Sequence, residues 1–98
     1  MKLLTKELRK QLPPLYSQEQ TEDPLVVAKF FTPWTNWTWY VIEFDGDDTF
    51  FGLTIGHEKE MGYFSLSELE GIRGPFGLKI ERDMSWRPTP LSQVRGEK

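Results

Sequence analysis

Cysteine is absent and histidine occurs once, at His57. Without thiols there is neither a disulfide framework nor a thiolate metal site, and a lone imidazole lacks the usual ligand set for zinc. A long apolar run is missing as well. The opening MKLLTKELRKQL is too charged to serve as the hydrophobic segment of a signal peptide, so a cytoplasmic protein with no membrane association is expected. For the same reason the sequon Asn36-Trp37-Thr38 is read as idle. No Ser-His-Asp or Cys-His arrangement can be assembled, because no serine has an identifiable base. RGPFG, residues 73–77, lacks the strand–loop–helix context and the Lys-Ser/Thr pair of a phosphate loop and is read as a turn.

What remains is a chain of 98 residues, the size of one domain (1–98), with 38% hydrophobic and 14% aromatic content. Seven Phe, four Trp and three Tyr supply a core from few, large side chains. The net charge is only −3, but residues 1–12 sum to +3, 43–70 to −7 and 71–98 to +3. An acidic middle can steer a basic partner and basic ends a nucleic-acid backbone, although solvated charge that keeps a small domain soluble is the plainer account.

Periodicity orders the chain. Thr5 caps a short helix over Lys6–Leu12, with Leu4, Leu8 and Leu12 on one face, and Pro13-Pro14 stops it. Residues 17–24 read as a loop. LVVAKFFT forms a first strand, Trp37–Phe44 a second, TFFGLTIG a third and MGYF a fourth, with turns at Asp45–Asp48 and His57–Glu60. Ser65 with Glu68 makes a capping box, and Phe64 with Leu69 a hydrophobic staple, for a helix within 65–73. A fifth strand is placed at Leu78–Glu81, and the proline-broken tail from Trp86 is expected to be extended and to fray at its end. The fold class is therefore α+β: an antiparallel meander of four to five strands over 25–66 with a capped helix on one face, a short N-terminal helix, and a C-terminal strand and tail over 76–98.

The stretch NWTWYVIEF sends large side chains to both faces of a strand. If Gly46-Asp47 and Glu58-Lys59 are the hairpin tips, one face carries Tyr40, Ile42, Phe44, Phe51, Leu53, Ile55 and Phe64 and makes a core. The other carries Trp37, Trp39, Val41, Glu43, Phe50, Thr54 and Tyr63, with Gly52 and Gly56 beneath the indoles. Keeping an ammonium out of the core sets Lys29 across from Trp39, in cation–π range. This second face is either an exposed aromatic shelf or a second core layer covered by the N-terminal helix or by the tail with Trp86. As a shelf it offers Trp37, Trp39, Lys29, Glu43 and Tyr63 as a binding surface, with Asp45, Asp47, Asp48, Glu58 and Glu60 as an acidic rim.

Catalytic and metal candidates are thin. His57 lies among carboxylates but is read as an exposed turn residue, since HEKE is not the helical HExxH spacing. The aspartates at 45, 47 and 48 lack the further ligands of a calcium loop and are read as a hairpin tip, where repulsion between Asp45 and Asp48 would slightly weaken the turn. No catalytic residue, metal or cofactor is assigned.

The segments MKLLTKELRKQLPPLYSQE, AKFFTP, NWTWYVIEFDGDDTFFG, IGHEKEMGYFSLSELE, RGPFGLKIERD and PLSQV together resemble the family called domain of unknown function 2958 over nearly the whole chain. The resemblance implies a small bacterial protein carried on plasmids, integrative elements or phage, with no established activity and no catalytic residues to carry over. The family pattern has an acidic or small residue near Trp34 and a Tyr-Phe pair near Ser85-Trp86, where this chain departs from it. The expectation is a non-enzymatic accessory protein of a mobile genetic element that binds a macromolecule, foremost a protein. One concrete form is an inhibitor of a host defence system such as CRISPR. The alternatives are single-stranded nucleic-acid binding on the aromatic face and, third, a small enzyme of unknown reaction.

Overall fold

In the computed structural model, which describes residues 2–95, the polar stretches bend the chain where their composition demands it. Strand β1 (Leu25–Val26) and β2 (Ala28–Phe31) are followed by β3 (Thr38–Phe44), β4 (Thr49–Ile55) and β5 (Lys59–Ser65). Helix α1 (Lys6–Gln11) precedes them; α2 (Leu66–Gly71), β6 (Glu81–Arg82), β7 (Thr89–Pro90) and α3 (Leu91–Arg95) follow. The main sheet is antiparallel in the order β5-β4-β3-β2-β6, and β1 pairs with β7 in a two-stranded ribbon. This is the expected α+β fold with a five-stranded antiparallel sheet, the fifth strand lying slightly beyond the segment marked for it and pairing with β2.

The register of two hairpins differs from the one the sequence suggests. Trp39 pairs with Thr54, Tyr40 with Leu53 and Val41 with Gly52 as expected, but Glu43 rather than Ile42 then lies opposite Phe51, and Phe44 lies opposite Phe50. The shift between Val41 and Glu43 is a β-bulge, an extra residue that reverses the facing of everything after it. The second hairpin turns on Gly56-His57-Glu58, so that Ile55 pairs with Lys59, Phe51 with Tyr63 and Phe50 with Phe64. That is an odd-numbered offset from the expected pairing of Leu53 with Phe64, and it carries Phe64 to the opposite face.

Both faces are consequently covered. On the first, Phe30, Trp39, Val41, Phe44 and Phe50 pack against Leu3, Leu4, Leu8 and Leu12 of the N-terminal segment and against Leu69 of α2. Thr5 caps α1 by accepting from the Leu8 N–H at 3.1 Å. Arg9 ties the helix to the first hairpin, donating to the Gly46 carbonyl at 2.8 Å with its guanidinium 5.2 Å from the Phe44 ring. Ser65 caps α2 through the Glu68 N–H at 3.0 Å, and Leu69 and Phe64 join the same cluster, as the staple requires.

On the second face Val26, Tyr40, Ile42, Leu53 and Val94 form a smaller core with Trp86 and Leu91. The tail is thus not simply extended. Leu91 and Val94 share one side of a single helical turn, and its start is stabilised from afar. The Asp23 carboxylate accepts from the Ser92 N–H at 2.8 Å and its hydroxyl at 2.7 Å. Trp86 stands over Tyr40, ring centroids 5.7 Å apart, and donates its indole N–H to the Val26 carbonyl at 3.0 Å. The fraying expected at 96–98 lies outside the described residues.

Gly52 and Gly62 face each other across β4 and β5 yet differ in tolerance. A Cβ on Gly52 would collide with the Tyr40 carbonyl oxygen, whereas one on Gly62 would meet nothing within 4 Å. Gly52→Ala should therefore cost about 2–3 kcal/mol or more, while Gly62→Ala should change stability by less than about 1 kcal/mol. Urea unfolding of the pair checks this.

Candidate functional site

The sheet divides the five residues that the sequence grouped into one surface. Trp37 and Trp39 share a face with α1, whereas Lys29 pairs with Tyr40, Glu43 with Phe51, and Tyr63 with Phe51 from the other side, all on the opposite face. Trp39 is only 7% exposed and belongs to the core. Trp37, just outside β3, stays 37% exposed. It lies over Gly56, where a Cβ would meet its ring, and its centroid is 5.9 Å from Trp39 and 5.7 Å from His57. No two-tryptophan shelf is open to solvent.

Lys29 meets different partners from the expected Trp39. Its ammonium lies 5.9 Å from the Tyr40 ring centroid, 5.7 Å from that of Trp86 and 3.9 Å from the Asp83 carboxylate. It fastens the tail to the sheet.

Glu43 is 3% exposed and is the carboxylate that the bulge places. One oxygen accepts from the Tyr16 N–H at 2.8 Å, the other from the Gln18 N–H at 2.7 Å. A buried carboxylate with donors on both oxygens is satisfied rather than poised as a base. Its role here is to hold the loop after α1 against the sheet, with Tyr16 in a left-handed conformation at φ 70°.

The acidic residues do not form one rim. Asp45 accepts from the N–H groups of Asp47, Asp48 and Thr49 at 2.8, 2.9 and 3.0 Å. These bonds hold its carboxyl below the usual carboxylate range, led by the one from Asp47. Asp48 turns instead to α2, accepting from the Ser67 N–H at 2.9 Å and hydroxyl at 2.8 Å. The expected repulsion between Asp45 and Asp48 is thus replaced by two separate sets of donors. Asp47 is exposed beside them. Glu58 and Glu60 sit at the other end of β4, about 20 Å away at a strand's rise per residue. There they line a recess of about 300 Å³ with Trp37, Thr54 and His57.

A surface the sequence did not mark lies on the Tyr40 face. A cleft of about 310 Å³ opens between the 16–24 loop and strands β3 to β5, with Tyr16, Phe51, Met61 and Tyr63 in its wall. Tyr63 is 56% exposed, its centroid 6.4 Å from Tyr16 and 5.1 Å from Phe51. Glu19, Glu22 and Glu43 line the cleft, and no basic side chain does among the described residues. The neighbouring Tyr16 hydroxyl first, then desolvation and the charges of Glu43 and Glu19, raise the Tyr63 phenol above its usual range. Tyr16 and Met61 could not be found from sequence, because their placement depends on the bulge and on the second hairpin's register. A second aromatic projects elsewhere. Phe76 is wholly exposed at φ 58° in the Pro75–Gly77 turn, where Trp34 packs on the Gly74 backbone.

Among the described residues no group of three His, Asp or Glu side chains is placed to hold a metal ion, and no helix is long and apolar enough to cross a membrane.

Two measurements follow from these placements. Trp39→Ala should cost about 3–5 kcal/mol, while Trp37→Ala, at a half-open site, should cost much less, by denaturant titration. Because Asp45 has a lowered folded-state pKa, its contribution to stability is fully present above about pH 4 and is lost as pH falls through the folded value. Asp45→Asn keeps an acceptor for the turn, so its stability should fall less than that of the native protein between about pH 4 and pH 2.

Compared with known proteins, the chain has no match among curated sequences and none among solved structures. A family model described as a protein of unknown function (DUF2958) does match, over residues 3–94, which takes in both covering segments, the bulged hairpin and the Tyr16–Tyr63 cleft. The chain belongs to the DUF2958 family.

Proposed function

We propose that the protein acts by binding another protein, without catalysing a reaction, and that the contact runs along β5 and the adjoining Tyr16–Tyr63 cleft. The observation that carries this reading is the sheet edge at β5, along which no strand pairs among the described residues. β5 is a seven-residue strand at the end of the strand order, exposing Met61 and Tyr63, whereas β6 at the opposite edge is only two residues long. Exposed strand edges are usually blunted by charge, proline or a covering segment, because unpaired backbone groups recruit another strand. Charged residues occupy only the start of β5, at Lys59 and Glu60, and Gly62 to Ser65 continue without charge or proline.

The accessory role on a mobile genetic element is what the family resemblance implies. A host-defence inhibitor would fit that role, although the single acidic rim expected for it has little support when Asp45 and Asp48 are occupied by backbone and serine donors. Base stacking on paired tryptophans has as little, since Trp39 is core.

Affinity capture from a bacterial host lysate tests the reading. The tagged protein should retain a stoichiometric polypeptide that Met61→Ala/Tyr63→Ala loses while its circular dichroism is unchanged. Equal retention by the double variant would remove this surface.

A further inference from the structure

We infer that the occupant of the β5 edge is an extended, basic peptide segment that joins the sheet as a sixth strand and lays an arginine or lysine side chain over Tyr63 into the acidic cleft. This rests on the reading of β5 as a protein-binding edge and names the chemistry of the partner.

The backbone part of the recognition follows from the strand order. Nothing among the described residues pairs with the outer side of β5, so an added strand would lie about 4.8 Å beyond it. Alternate side chains of that strand would project on the face that carries Met61 and Tyr63.

The side-chain part follows from the cleft. An arginine or lysine has the reach to cross one strand spacing, its alkyl stem covering Met61 and its charged head lying against the Tyr16 and Tyr63 rings. Beyond the rings are Glu19, Glu22 and Glu43, with no cation lining the cleft among the described residues. Glu43 is buried with a backbone donor on each oxygen, so the exposed Glu19 and Glu22 supply the charge that a cation can meet directly. An acidic strand would face these carboxylates without compensation, and an apolar one would leave the cleft's charge unmatched. A second copy could also pair along β5, with Met61 opposite Tyr63 about Gly62, but it would bring two such acidic clefts side by side.

The test is a titration of the isotope-labelled protein, followed by amide chemical shifts, with a blocked nine-residue peptide of alternating arginine and valine. Its glutamate–valine counterpart and an N-methylated version that cannot complete a ladder serve as controls. The arginine peptide should shift the amides of residues 59–65 saturably. It should bind at least about tenfold more tightly than either control, weaken with salt, and lose about tenfold in affinity on Tyr63→Ala. Equal binding of the glutamate peptide, shifts elsewhere in the molecule, or no binding would overturn the proposal. So would a concentration-dependent dimer protecting the same amides, which would give the edge to a second copy. If the arginine peptide fails while lysate capture still depends on Met61 and Tyr63, β5 stays a protein-binding edge for a partner of other chemistry; if both fail, the surface itself is lost.

Discussion

One inserted residue in β3 decides the interior of this protein. Up to Val41 the strand alternates Trp39 and Val41 to one side against Tyr40 to the other, and an unbroken alternation would turn Glu43 under the leucines of the N-terminal segment. The bulge sends the carboxylate to the opposite side, where two backbone N–H groups meet it, and places Phe44 4.7 Å from Phe50. A buried charge acquires donors and an aromatic acquires a core in the same step. The alternative, an unpaired carboxylate in an apolar layer, is among the costliest arrangements a small domain can adopt.

The two covering layers depend on that choice in different ways. The N-terminal leucines and α2 need a continuous apolar face, which Phe44, Phe50 and Phe64 complete. The C-terminal segment needs a narrower one, because Glu43 and the 16–24 loop occupy the end of the sheet beside Ile42. Trp86, Leu91 and Val94 therefore fill only the part near Tyr40 and Leu53. The uncovered remainder is the cleft walled by Tyr16, Phe51, Met61 and Tyr63.

Local chemistry in the sequence shows the elements well. The cap at Thr5, the cap at Ser65, the proline stop after α1 and the turn at Asp45–Asp48 each act over a few residues, and each is found where the pattern puts it. The register beyond Val41 could not be read this way, since a bulge satisfies partners remote in sequence: Glu43 answers donors at Tyr16 and Gln18. The three-residue second turn likewise follows from which face Phe64 must join. As a result Trp37, Trp39, Lys29, Glu43 and Tyr63 looked like neighbours on one surface when the sheet separates them. The tail's final helical turn was hidden for the same reason, as its capping carboxylate is Asp23, at the far end of the chain from Ser92.

The pairing of Asp23 with Ser92 has a counterpart in Asp48 with Ser67, each carboxylate taking the N–H and the hydroxyl of a serine in the first turn of a short helix. Helices of five or six residues lie far below the length at which a free peptide holds its shape. Their first turns are completed by Asp48 of the hairpin turn and Asp23 at the entry to β1. The two short helices thus depend on the sheet and its turns for their stability, and loosening either turn would release the helix that leans on it.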